Sequence, residues 1–199
     1  MPRRVIAAAL FAGLLGLTAC SDAEGTAPPT EGLPTTTPTP STQPSTSPPP
    51  TPEEEAAAAA LAALEGYWQV SQSAEQAPAA RDWEPELRQY ADEAATAVKL
   101  GSIQFSLEGG TRQEGENTID SEVTGVDLAA DPQATVMITA CFDSTGGQTV
   151  DADTGEPTGL DPPPKFPRWE LVVTVLRHPQ LEGSPWLVHD FEPMTEQPC

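Results

Sequence analysis

The chain has 199 residues, with 30 acidic against nine basic side chains and a net charge of −21 at pH 7. That excess of negative charge excludes nucleic-acid recognition, which starts from a basic surface, and keeps the body of the protein off anionic lipid. It serves solubility first and leaves a cationic partner as the electrostatic complement. Arg3 and Arg4 form a positive start, Val5 to Gly16 an apolar run, and Ala19 a small residue before Cys20. This is the pattern of a secretory signal, too short to span a membrane comfortably.

Leu17-Thr18-Ala19-Cys20 resembles the bacterial lipobox. The resemblance implies that residues 1–19 are removed and that the Cys20 sulfur takes a diacylglycerol, so that acyl chains such as palmitate anchor the chain. The alternative is an ordinary secreted protein with a cysteine near its cleavage site. Three cysteines are an odd number for an exported protein. If Cys20 carries lipid, Cys141 and Cys199 remain as one pair. Loss of Arg3 and Arg4 with the signal leaves seven basic against 30 acidic residues, a charge of −23.

Residues 20–52 read as a lipidated cysteine followed by a disordered stalk. Ten of the 23 prolines lie between Ser21 and Pro52, among threonine and serine. Such a composition buries too little apolar surface to offset its ordering entropy. In a polyproline conformation it reaches on the order of 100 Å.

Residues 53–199 fit one domain of ordinary size. Thr51-Pro52-Glu53-Glu54 predicts a helix start, with Thr51 as cap, Pro52 in the first turn and Glu54 in capping-box register. Ala57, Leu61, Leu64 and Trp68 mark its apolar face, bordered by Tyr67, and Pro78 limits it. A second helix is expected within Trp83 to Val98, capped by Asp82. Ile103, Phe105 and Leu107 then alternate with polar residues and predict a strand broken by Gly109-Gly110. Glu116 to Leu128 reads as a strand whose apolar parity switches at Gly125, the mark of a bulge. Gln133 to Phe142 follows, then a turn-rich connection over 143–167 with a short strand near Gln148 to Asp151. Arg168 to Arg177 is a clear strand, with Trp169, Leu171, Val173 and Val175 on one side. His178-Pro179 turns the chain in an exposed position, and Trp186 to Phe191 closes the sheet.

Helices followed by antiparallel strands are an α+β order. Trp83-Glu84-Pro85-Glu86-Leu87, Ala140-Cys141-Phe142-Asp143 and Trp186-Leu187-Val188 ahead of Pro198-Cys199 resemble lipoproteins of high-GC Gram-positive bacteria with an NTF2-like, cystatin-like cone domain. The resemblance implies a curved sheet wrapped on N-terminal helices with a hollow at one end. Trp68, Trp83, Asp143 and His189 are the candidate residues of that hollow. In similar cones of the polyketide-cyclase (SnoaL-like) kind, acid–base groups work there, and Asp143 with His189 are the candidates for that chemistry. On the last strand His189 shares a face with Leu187 and Phe191, the setting of a structural histidine.

Asp151-x-Asp153-x-Gly155-Glu156 carries a fragment of calcium-loop spacing but lacks the closing glutamate, and reads as a hairpin turn. The sequence carries no nucleophile elbow, phosphate loop, dinucleotide fingerprint or zinc spacing. No cofactor or metal is expected. The reading is a membrane-anchored, extracytoplasmic module that binds an envelope protein or the cell wall without catalysis. The alternative is a carrier or enzyme that uses the hollow for a small apolar molecule.

Overall fold

The computed structural model describes residues 48–159 and 165–199. The signal, Cys20, most of the stalk and Pro162-Pro163-Pro164 lie outside the described residues. Three helices, α1 (Pro52–Gln76), α2 (Glu84–Leu87) and α3 (Glu93–Gly109), precede six strands. The strands are β1 (Thr111–Gly115), β2 (Thr118–Asp127), β3 (Thr135–Asp143), β4 (Gly147–Asp151), β5 (Arg168–Arg177) and β6 (Trp186–Met194). The order is α+β, with α1 laid on one face of an antiparallel sheet.

The start of α1 is the capping box that the sequence announces. Thr51 Oγ1 accepts from the Glu54 N–H at 3.2 Å, and Glu54 Oε2 accepts from the Thr51 N–H at 2.7 Å. Both otherwise orphaned donors are thereby satisfied. The buried face is rotated from the expected one. Ala60, Ala63, Leu64 and Tyr67 form its centre, while Leu61 and Trp68 are half-buried at its border. Small alanines let the helix approach the sheet, where Tyr67 stacks on Phe191 of β6 at 5.0 Å between ring centroids.

The second helix departs from expectation. The chain turns only once over Glu84–Leu87, and a new helix, α3, begins at Glu93. Asp92, not Asp82, caps that helix, its Oδ1 accepting from the Ala94 and Ala95 N–H groups. The strand expected at Ile103 to Leu107 is the second half of α3. Five residues of alternation fit either period, and burial decides between them: Ile103 is buried, whereas Phe105 is 75 % exposed. Val98, expected on the apolar face, is also exposed. The helix ends at Gly110, whose φ of 61° is the left-handed cap.

Four strands form the main sheet in the order β2-β3-β5-β6, and β1 pairs with β4. The two sheets share one ribbon. Thr118 faces Asp143, Gly115 faces Gly147, and Thr111 faces Asp151, so β1–β2 and β4–β3 are a single antiparallel pair bent in the middle. At the bend a side chain on Gly115 would collide with the Gly146 carbonyl, and one on Gly146 with that of Glu116. Helix α1 covers the main-chain groups that the bend exposes. Gln72 Nε2 donates to the Asn117 carbonyl at 2.8 Å, and Gln72 Oε1 accepts from the Asn117 N–H at 3.1 Å. Gln76 Nε2 donates to the Gly115 carbonyl at 3.0 Å.

The sequence places a bulge near Gly125, and the β2–β3 register shifts between Val123 and Gly125. A second shift, between Thr174 and Val175, falls opposite His189 and was not expected. It puts the neighbours Leu187 and Val188 both in the interior, so the simple alternation drawn through His189 fails. Val136, Ile138 and Ala140 of β3 with Leu171, Val173 and Val175 of β5 make the sheet side of the core. Cys141 and Cys199 are joined, 58 residues apart, by a disulfide on the opposite face. In the chain-entropy account such a loop is worth about 4 kcal/mol.

Two outcomes test this packing. A Cβ on Gly66 would collide with the Tyr90 ring. Gly66→Ala, which stabilises an open helix by about 1 kcal/mol, here destabilises by about 1–3 kcal/mol, read as a lower urea midpoint. An unchanged or raised midpoint would show that the ring yields freely. Burial pushes the Tyr67 hydroxyl up to about 12. Its raised value means that the stability it lends is complete below pH 10 and is lost as pH climbs toward 12. Tyr67→Phe should flatten that alkaline loss, followed as unfolding between pH 9 and 12.

Candidate functional site

The structure places the four residues singled out for a hollow in different settings. Trp83 is buried, with the Arg81 guanidinium 4.2 Å above its ring and its indole N–H without a partner among the described residues. Trp68 lies at the other border of α1, its edge on Phe142, whose ring tilts onto Trp169 at 4.5 Å. Asp143 ends β3 at the surface. Hydrogen bonds from the Thr145 hydroxyl and N–H, then the Arg168 guanidinium, hold its carboxyl below the usual carboxylate range. Asp143 pairs in register with Arg168, whereas His189 lies just past Thr174. Six residues of β5, or about 20 Å of strand, separate the two positions. No acid–base pair is formed by Asp143 and His189.

His189 meets a different carboxylate. Its Nδ1 lies 2.6 Å from Asp92 Oδ2, the oxygen left over after Oδ1 caps α3. His178 converges on the same group, with Nε2 3.7 Å from Asp92 Oδ2. This corrects the exposed turn expected for His178, which is 9 % exposed. Its turn folds back because the His178 N–H donates to the Pro185 carbonyl and the Leu181 N–H to the His178 carbonyl. Gln180 Nε2 donates to His178 Nδ1 at 3.1 Å, so the neutral ring carries its proton on Nε2, toward Asp92. The backbone closes the same corner: the Asp92 N–H donates to the Val188 carbonyl, and the Val188 N–H to that of Tyr90.

Both histidines of the chain therefore converge on one aspartate that the sequence analysis missed. His189 is 97 residues from Asp92, and only the helix-cap pattern at Asp92-Glu93 was a local signal. Arg88, Glu93 and Gln180 surround the cluster, and no serine, threonine or cysteine lines that depression. A carboxylate that caps a helix and holds an imidazole, with no nucleophile beside it, clasps the α2–α3 corner to β6. Asp151 likewise works within a turn. Its Oδ1 accepts from the Asp153 and Thr154 N–H groups and the Thr154 hydroxyl, which lowers its pKa. Among the described residues, no three His, Cys, Asp or Glu side chains are grouped to hold a metal ion.

The space between α1 and the centre of the sheet is filled by Leu64, Tyr67, Ile138, Val173 and Val175, and a groove stays open only at its border, between α1 and β2, where Trp68 lies. The charged surfaces lie outside it. Asp120 and Glu122 of β2, Glu170 of β5, and Asp190 and Glu192 of β6 alternate with the core residues, and so occupy the sheet face turned away from the helices. None of the five forms an ion pair among the described residues. Six cations are engaged elsewhere: Arg81 with Glu86, Arg88 with Glu84, Lys99 with Glu75, Arg112 with Glu114, Lys165 with Glu196, and Arg168 with Asp143.

No family model matches the chain, and no curated protein matches it. Among solved structures it is similar to the intermembrane space region of chloroplast protein ARC6, at 13% identity and a TM-score of 0.41, covering 69% of this chain and 95% of that one. A periplasmic fragment of TraM is similar at 13% identity and a TM-score of 0.42, covering 67% and 96%. CagV, a VirB8 homolog of T4SS from Helicobacter pylori, is similar at 14% identity and a TM-score of 0.32, covering 68% and 96%.

The Asp92 clasp is tested by substitution. Asp92→Ala removes a helix cap worth about 1 kcal/mol and a charged hydrogen bond worth about 1.5–3 kcal/mol. The expected loss is about 2–4 kcal/mol in chemical unfolding. Asp92→Asn keeps the cap and should lose about half as much. Wild-type stability in the alanine variant would show that the corner holds without it.

Proposed function

We propose that this chain is a lipid-anchored, extracytoplasmic protein whose folded part is a non-enzymatic interaction module of the cell envelope. The observation that carries the second half is the filled helix–sheet interior. Tyr67 and Phe191 stack where a ligand-binding hollow would open, between walls of buried valine and leucine. The acidic surface, by contrast, is open and lacks counterions of its own. An interaction module needs such a surface, and a carrier or cyclase-like enzyme needs the hollow.

The anchor rests on Leu17-Thr18-Ala19-Cys20 and on cysteine arithmetic. With Cys141 and Cys199 bonded to each other, Cys20 is the remaining cysteine. Diacylglycerol on that sulfur supplies two chains, enough for stable anchoring where a single chain binds only marginally. The Pro/Thr-rich stalk then sets the folded part away from the bilayer. Its NTF2-like character belongs to this same reading, supported by the helix-on-sheet order.

Growth of the host with labelled palmitate should label the wild-type protein and leave Cys20→Ser unlabelled, released to the medium. Wild-type protein that is unlabelled and free in the medium would end the anchoring claim. Turnover of a small substrate by the purified protein would end the non-enzymatic one.

A further inference from the structure

β2 is an edge strand. It pairs with β3 on one side and with no described strand on the other. Ten residues long, it carries neither lysine nor proline, the residues that usually blunt an exposed edge. The bend at Gly115 to Asn117 is covered by Gln72 and Gln76, and that cover stops at Asn117. From Thr118 to Val123, before the bulge, the edge runs regular and open.

The two flanks of this edge differ. On the helix side lies a groove of about 420 Å³ between α1 and β2, lined by Leu61, Trp68 and Ile119 with Glu65 and Glu116. Trp68 is half-buried there and continues into the Phe142–Trp169 pair. On the other flank stand Asp120 and Glu122, exposed and without ion pairs, with Glu170 two strands further in. A strand laid along the edge sends alternate side chains to these two flanks. One series would meet aromatic and aliphatic surface, and the other would meet carboxylates at matching two-residue spacing.

We propose that the open edge of β2 receives an extended segment of a partner protein, with apolar and basic residues in alternation, as a fifth strand. The claim rests on the interaction-module reading and names the partner's chemistry. Main-chain hydrogen bonds supply the affinity of strand addition, and the alternating side chains supply its specificity. A second copy of this chain would set Asp120 and Glu122 beside their own counterparts, and like charges paired across strands repel. The chain's own Ser21–Pro52 stretch carries no lysine or arginine to meet these carboxylates, and its ten prolines interrupt the N–H series of a ladder.

The test uses the purified full chain and three synthetic peptides: Lys-Val-Lys-Leu-Lys-Val, the same peptide with proline for leucine, and Glu-Val-Glu-Leu-Glu-Val. The first should slow hydrogen exchange of amides within 118–123, and the other two should not. Asp120→Lys with Glu122→Lys, both exposed positions, should weaken binding by about tenfold or more while leaving the thermal transition in place. The edge assignment is overturned by unchanged β2 amides at saturating peptide, or by equal binding of the proline peptide. Slowing that tracks protein concentration without peptide would instead make the occupant a second copy. A partner crosslinking to this chain in cells while β2 stays unprotected would sink the edge and leave the interaction reading standing.

Discussion

The bend in the β1–β2/β4–β3 ribbon is the constraint on which the rest of the structure depends. An antiparallel pair this long would run straight through the domain and leave α1 no sheet edge to grip at its C-terminal end. Glycines at 115 and 146 permit the close approach of the two strands. The bend exposes main-chain groups, and an unpaired one under cover costs about 1–3 kcal/mol. Gln72 answers both the N–H and the carbonyl of Asn117 with one side-chain amide, acting as a one-residue strand. That contact registers α1 on the ribbon, and the registered helix brings Tyr67 onto Phe191 and Trp68 onto Phe142.

Two clasps hold the ends. Asp92 joins the start of α3 to β6 through a cap, an imidazole contact and a backbone bridge within three residues. The Cys141–Cys199 bond ties the final residues to β3, and the Gln197 carbonyl adds a hydrogen bond from the Glu170 N–H. Each clasp borders an open surface depression, away from the helix–sheet core. Histidine and cysteine suggest chemistry when met in a sequence, and here each holds elements together. The surface left unspent is the acidic one, because six of the seven cations among the described residues are drawn to other carboxylates.

The legible parts of the sequence were those whose signals are local. Thr51-Pro52-Glu53-Glu54 specified a capping box, and the alternation of Trp169, Leu171, Val173 and Val175 gave β5 with its inward face. Ile103-Gln104-Phe105-Ser106-Leu107 misled because five alternating residues fit two periods, and the deciding marks, Asp92 and Gly110, lay outside the window. Thr111–Gly115 has no apolar residue, so β1 gave no signal until its partner β4 was in place. The Asp92–His178–His189 cluster joins three distant positions, and a register shift opposite His189 breaks the alternation on which parity relied. Contacts made across the chain and bulges that break parity were beyond local reading.

The central claim is that this domain works from its rim and not from an interior. Its most direct test is a scan of a photo-crosslinking amino acid over three positions in living cells. Ser121 samples the open edge, Val172 the acidic sheet face, and Val98 the outer side of α3. Strong partner adducts from Ser121, weaker ones from Val172 and none from Val98 are the expected pattern. Adducts confined to Val98, or none from any of the three, would contradict the account.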